Sequence, residues 1–124
     1  MFNGISHSTK PYLTLNLNRS IQQVTSKFRF GVSDIRSHYF RYRTHTDRDL
    51  LCPLCKKSKE DEVHFVLVCP VTQCIREQFI PEKCFREPCF FRLTILMSST
   101  NENIVKNFSL FLYRAFKLRD TLCL

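Results

Sequence analysis

Apolar residues recur along this chain at helical spacing far more often than they alternate. Ile21, Val24 and Phe28 stand at i, i+3 and i+7 behind Ser20, with Gly31 after them. That pattern predicts a capped helix with a glycine stop. Ser33 is placed to cap a second, short helix carrying Ile35 and Tyr39 or Phe40. Further on, Ser58 with Asp61 fits a capping box, and Glu60, Asp61 and Glu62 would fill the first turn of a helix from about Lys59 to Val68. Its body, Val63 to Val68, is short and β-branched, so a strand is the rival reading. Val71, Ile75 and Phe79 predict a helix stopped by Pro81, and residues 81–89 read as a connector. Pro88 opens a helix over Phe90–Met97, and Ser99 with Glu102 forms a second capping-box candidate. Beyond it, Ile104, Phe108, Phe111, Ala115 and Leu118 trace one face of a long helix to about Arg119.

These elements predict a mostly α fold, a small helical domain, and Cys52, Cys55, His64 and Cys69 fall between its helices in the pattern of a Cys-Cys-His-Cys zinc knuckle. Residues 1–18 are a loose lead-in, 19–80 a basic-aromatic segment with the zinc-binding module, and 81–124 a helical extension packing on the same domain. With 124 residues, 44% of them hydrophobic and twelve Phe, the chain carries one modest core. A core of that size gains from a metal or a partner.

The charge is local. The chain's net charge is +8, and ten Lys/Arg against three Asp/Glu between Arg19 and Lys59 place +7 of it in one third of the sequence. There Phe28-Arg29-Phe30 and Tyr39-Phe40-Arg41-Tyr42-Arg43 interleave rings with cations. Cations neutralise phosphates, and aromatic faces stack on unpaired bases. The plainer reading buries the rings and leaves the arginines in solvent. The unmatched charge favours a nucleic-acid partner, RNA or single-stranded DNA. Arg29, Arg36, Arg41, Arg43, Lys56 and Lys57 would meet phosphates, and Tyr39 and Tyr42 would stack.

Seven cysteines raise the question of compartment. The first twenty residues hold no apolar leader, and no run approaches the ~18 apolar residues of a membrane span. We therefore expect an intracellular chain, nuclear or cytoplasmic and not secreted, in which clustered thiols hold metal. The strongest motif is Cys52-x2-Cys55-x8-His64-x4-Cys69. Thiolates and imidazole are the donors zinc prefers in a tetrahedron. If His64 lies on a helix and Cys69 just past its end, a relaxed last turn brings that sulfur beside the imidazole. All four positions are then closed by protein, so Zn2+ would be structural, with no place for a catalytic water. Lys56 and Lys57 would offset the site's charge of −1. Cys74 could substitute as a ligand but fits better as a small apolar residue of the helix, since free cysteine is commonly buried. Cys84, Cys89 and Cys123 have no assigned chemistry. His7, His38 and His45 read as surface or core histidines, His45 being the nearest alternative ligand.

Leu50-Leu51-Cys52-Pro53-Leu54-Cys55, Glu60-Asp61-Glu62-Val63-His64-Phe65, Cys69-Pro70 and Arg76 together resemble the zinc-binding tail of LINE-type, non-LTR retrotransposon reverse transcriptases. The preceding Lys27 to Val32 and Arg41-Tyr42-Arg43 are similar to the segment leading into that tail. The resemblance covers about residues 19–80. It implies a module carboxyl-terminal to a polymerase, with Cys52, Cys55, His64 and Cys69 as ligands, that helps hold the element's RNA or target DNA. It implies no catalytic residue in this segment, and no Asp-Asp pair of a polymerase occurs in the chain. Two other readings stand beside a non-catalytic nucleic-acid-binding module. One is a structural or protein-interaction zinc module that presents the helix near 100–119 to a partner. The other is a retroelement relic without selected function.

Overall fold

The structure is a computed structural model, and it describes residues 17–122. The expected lead-in, apart from its last two residues, lies outside them, as do His7 and Cys123. The architecture is helical, as the periodicity predicts, and among the described residues the only β pairing is a single antiparallel bridge, Leu51 with Lys59.

Helix α1 spans Arg19–Arg29 and buries Ile21, Thr25 and Phe28. Its cap is Asn18, whose side-chain oxygen accepts from the Ile21 N–H at 2.9 Å, not the expected Ser20. Gly31 ends it with φ +73°. The Val32 N–H reaches the Lys27 carbonyl and the Gly31 N–H reaches Phe28, the paired bonds of a Schellman turn. Helix α2, Arg36–Tyr39, is a single turn. Ser33 does not cap it: its hydroxyl lies 2.7 Å from His38 Nδ1.

The helix that carries His64 begins one turn later than the acids predict. Asp61 is its cap, accepting from the His64 N–H at 2.8 Å, and His64–Val68 is π-helical. Ser58 belongs to the preceding loop, and Glu60 is buried instead of fronting the helix. A 3-10 turn, Pro70–Thr72, leads into α3, Gln73–Phe79. The expected connector contains a short helix, α4, Glu82–Arg86, which buries Cys84. Helix α5 spans Phe90–Ser98 and α6 spans Glu102–Leu122. Asn101, not Ser99, caps α6, accepting from Asn103 and Ile104 N–H groups at 2.9 and 3.2 Å.

Helix α6 is the spine, with α1, α3 and α5 packed against it. Its buried seam runs Val105, Phe108, Phe111, Leu112, Ala115, Phe116 and Arg119, with Ile104 and Leu118 at the margins. The apolar stripe offered to a partner in the protein-interaction reading is therefore the interior of this domain. Phe65, the residue after ligand candidate His64, sits fully buried between Phe116, Phe28 and Phe111, with ring centroids 4.6, 6.2 and 6.4 Å away. Edge-on and tilted aromatic pairs of this kind add to the area they bury. The core thus grips the π-helix directly beside its imidazole.

Candidate metal centre

Two pieces of chain meet here. Leu51 pairs with Lys59, and the Cys52 N–H donates to the Ser58 carbonyl at 2.8 Å, closing a loop over residues 52–58. Within it the Lys56 N–H returns to the Cys52 carbonyl at 2.9 Å, and Lys56 takes φ 58°. That left-handed residue tightens the turn enough to aim Cys52 and Cys55 the same way. The second piece is the π-helix. A regular α turn would bond Cys69 to the fourth residue back; here its N–H reaches the fifth, His64, at 2.8 Å. The widened turn carries Cys69 round to the imidazole side.

The result is convergence. One ligand atom from each of Cys52, Cys55, His64 and Cys69 lies within 4.8 Å of every other. The Cys52 and Cys69 sulfurs are 3.8 Å apart, and the Cys55 sulfur lies 3.4 Å from His64 Nε2. A tetrahedral ion with bonds of ~2.3 Å to sulfur and ~2.0 Å to nitrogen separates two sulfurs by ~3.8 Å and a sulfur from a nitrogen by ~3.5 Å. These four residues are positioned to hold a metal ion, and no disulfide competes for their thiols. Cys52, His64 and Cys69 are buried and Cys55 is half-buried, so the centre sits at the edge of the core.

The donors also share protons. The hydrogen bond to Cys69, then burial, pushes the Cys52 thiol up to about 12. The same bond holds Cys69 below its usual value, and a hydrogen bond to Cys52 raises His64. Metal binding at such a site releases protons, because thiolates and neutral imidazole are the ligating forms.

Two buried arginines support the centre. Arg76 is fully buried on α3 and serves the end of the π-helix. Its Nε donates to the Val66 carbonyl at 2.7 Å, and its Nη2 to Phe65 at 3.4 Å and Thr72 Oγ1 at 2.9 Å. It therefore satisfies carbonyls that a helix end leaves open. Burial lowers Arg76 to about 10, while the Cys69 sulfur helps keep its charge. Arg119, on the far part of α6, grips Glu60 through two bonds of 2.9 and 2.8 Å. Glu60 also accepts the Arg36 N–H at 2.8 Å, and one of its oxygens lies 3.9 Å from the Cys52 sulfur. Sequence reasoning missed the roles of Glu60 and Arg119, because a charge in a polar run is ordinarily placed in solvent.

The remaining expectations divide. Cys74 and Cys89 are exposed and stand outside the cluster, so Cys74 is not the buried apolar residue expected, because the inner face of α3 is taken by Arg76; Cys84 is instead a core residue whose thiol burial pushes up. His45 is exposed, with Nδ1 at 2.9 Å from the Arg43 carbonyl, and takes no part. Buried His38 packs against Phe28 and faces Glu62 at 3.5 Å.

Among the predicted phosphate and base contacts, Arg41, Tyr42 and Arg43 are exposed on one segment together with Tyr39. The Arg43 guanidinium lies 4.5 Å from the Tyr39 ring centre. Lys56 and Lys57 are exposed on the 52–58 loop. Arg36 is half-buried over Phe40, and Arg29 donates to the Met97 carbonyl at the end of α5, so these two do not join the exposed group. No helix among the described residues is long and apolar enough to cross a membrane. Comparison with protein-family models, curated proteins and solved structures finds no match to this chain.

Proposed function

We propose that this chain is a zinc-binding module without catalysis of its own, which holds RNA or single-stranded DNA against an exposed basic and aromatic surface. The observation that carries the reading is the convergence of Cys52, Cys55, His64 and Cys69 on one point. Three thiolates and an imidazole are a zinc donor set, and four protein ligands leave no coordination position for substrate. In this role Zn2+ locks the 52–58 loop to the π-helix and contributes directly to folding. Arg41, Arg43, Lys56 and Lys57 supply phosphate contacts, and Tyr39 and Tyr42 supply stacking. The resemblance to the reverse transcriptase tail supports the same assignment and a retroelement origin.

The test joins metal content to salt dependence. Purified protein should carry one zinc per chain by elemental analysis. Its affinity for a fluorescent single-stranded oligonucleotide should fall with salt at a log–log slope of about −3, from four cationic contacts at ~0.7 each. A flat salt dependence removes the phosphate argument, and absence of stoichiometric zinc removes the metal one.

A protein-interaction reading rests on α5, where Phe90, Phe91 and Ile95 are exposed. Concentration-dependent size without oligonucleotide affinity would favour it.

A further inference from the structure

An open groove of about 530 Å3 runs beside α2, lined by Val32, Ser33, Asp34, Tyr39, Tyr42 and Arg43 among others. We propose that this groove takes one unpaired guanine of a single-stranded nucleic acid, with Asp34 reading its Watson–Crick edge. The inference rests on the nucleic-acid reading above and adds a base identity to it.

Stacking comes first. Tyr42 is 92% exposed, and Val32, on the same groove, is 64% exposed. The Tyr39 ring is 47% exposed and already carries Arg43 at 4.5 Å and a T-shaped contact with Phe40 at 4.9 Å. Tyr42 is thus the more open of the two rings, and Val32 supplies an apolar surface for the other side of a base. Every base has a face that stacks, so this part is indifferent to sequence.

Selection comes from Asp34. Among the described residues lining the groove it is the one carboxylate; it stands between this groove and a neighbouring cavity lined by Lys27 and Asp120, and no hydrogen bond or ion pair holds its side chain to either. Its backbone is nonetheless held, because Arg119 donates to the Asp34 carbonyl at 2.9 Å. The neighbouring Ser33 hydroxyl is engaged by His38 at 2.7 Å and does not compete. An ionised carboxylate only accepts, through two oxygens. Guanine is the base that presents two adjacent donors, N1–H and N2–H, on one edge. Pairing hides that edge, so the groove requires an unpaired residue.

The rim supplies charge. Arg43 stands over Tyr39, and the Arg41 guanidinium lies over Gly31, so close that a Cβ at position 31 would sit 2.6 Å from Nη1. Glycine there both ends α1 and leaves Arg41 its place beside the groove, where it can meet the phosphate flanking the bound base.

The experiment compares fluorescent ten-nucleotide oligo(U) strands carrying one central G, A or inosine, with oligo(dT) strands carrying dG or dA as the DNA arm. Binding is read by anisotropy on the zinc-loaded full chain. The G strand should bind five- to tenfold more tightly than the A strand, with inosine, which lacks N2–H, near the A value. Asp34→Asn should bring the G to A ratio to about one while retaining oligo(U) binding. Tyr42→Ala should weaken every strand. Equal binding of G, A and inosine, or a G preference that survives Asp34→Asn, overturns the inference and leaves the module reading standing. Binding of no strand at all overturns both. A preference in only one of the RNA and DNA arms supports the groove and identifies the sugar it accepts.

Discussion

Arg76 offers the sharpest test of how the metal centre is built. It is fully buried, and its partners are carbonyls, a hydroxyl and the Gln73 side-chain oxygen, with no carboxylate among them. Arg76→Met nearly conserves volume, so the cavity contribution is small. It removes the donors of Val66 and Phe65, and each buried carbonyl left without a partner costs about 1–3 kcal/mol. Relief of a buried cation works in the opposite direction. The net loss expected is about 2–4 kcal/mol, a large share of the ~5–15 kcal/mol that holds a domain together. In urea unfolding of zinc-loaded protein, followed by helical circular dichroism, the midpoint should fall by ~1–3 M at the ~1–3 kcal/mol/M slopes of small domains. Zinc affinity, measured by competition with a chromogenic chelator, should fall with it, because the loosened π-helix no longer presents His64 and Cys69 together. Arg76→Lys keeps the charge without the planar fork and should recover only part of the loss. Full recovery by lysine would mean that charge balance, not carbonyl capping, is the residue's work. A midpoint within ~0.3 M of the parent for Arg76→Met would refute the account.

Other outcomes follow from the same geometry. Cys55→Ser should lower zinc content and thermal stability together, whereas Cys84→Ala should leave zinc stoichiometry unchanged and lower stability by about 1 kcal/mol through lost core packing; elemental analysis beside thermal unfolding separates them. Glu60→Gln breaks a buried ion pair and should cost about 3–5 kcal/mol, while a Glu60→Leu, Arg119→Met double variant should recover most of that, as a double-mutant cycle would show. Glu62 is held below its ordinary 4.5 by its hydrogen bond with His38. A carboxyl depressed on folding binds its proton more weakly in the folded chain, so its contribution is present above pH 4.5 and disappears as pH falls through the lowered value. Stability of the parent should therefore drop more steeply below pH 4.5 than that of Glu62→Gln, and parallel acid limbs would count against the pair.

What the sequence makes legible here is what depends on spacing alone. The periods of α1 and α6, the glycine stop at Gly31, and the ligand pattern from Cys52 to Cys69 all rest on neighbours within a few turns. The caps were misplaced by two or three residues, at Ser20, Ser58 and Ser99. Each has another competent cap close by (Asn18, Asp61 and Asn101), and the rest of the fold decides which one the helix uses. Helix α4 is hidden because five residues give no period. The π turn is hidden for a different reason: its extra residue is there to bring Cys69 round to the site, a requirement imposed from outside the helix. Glu60 is misread as fronting a helix, and the buried roles of Arg76 and Arg119 are not read at all. Charged residues are expected in solvent, and only the assembled core shows carbonyls and a counter-charge waiting for them.

The grip of Arg119 on Glu60 bears on what counts as a unit of this protein. All four ligand candidates lie before residue 70, so a fragment ending there would keep the whole binding motif. It would also strip Glu60, beside the Cys52 sulfur, of its base on α6 and open the core face of the π-helix, Phe65 included, to water. The acid would then press against the negative charge gathering on the thiolates, instead of being neutralised behind them. The metal motif is consequently not a portable cassette. Its boundary in sequence falls about fifty residues short of its boundary in energy, and a graft or truncation designed on the cysteine spacing alone should bind metal poorly unless it brings the last helix along.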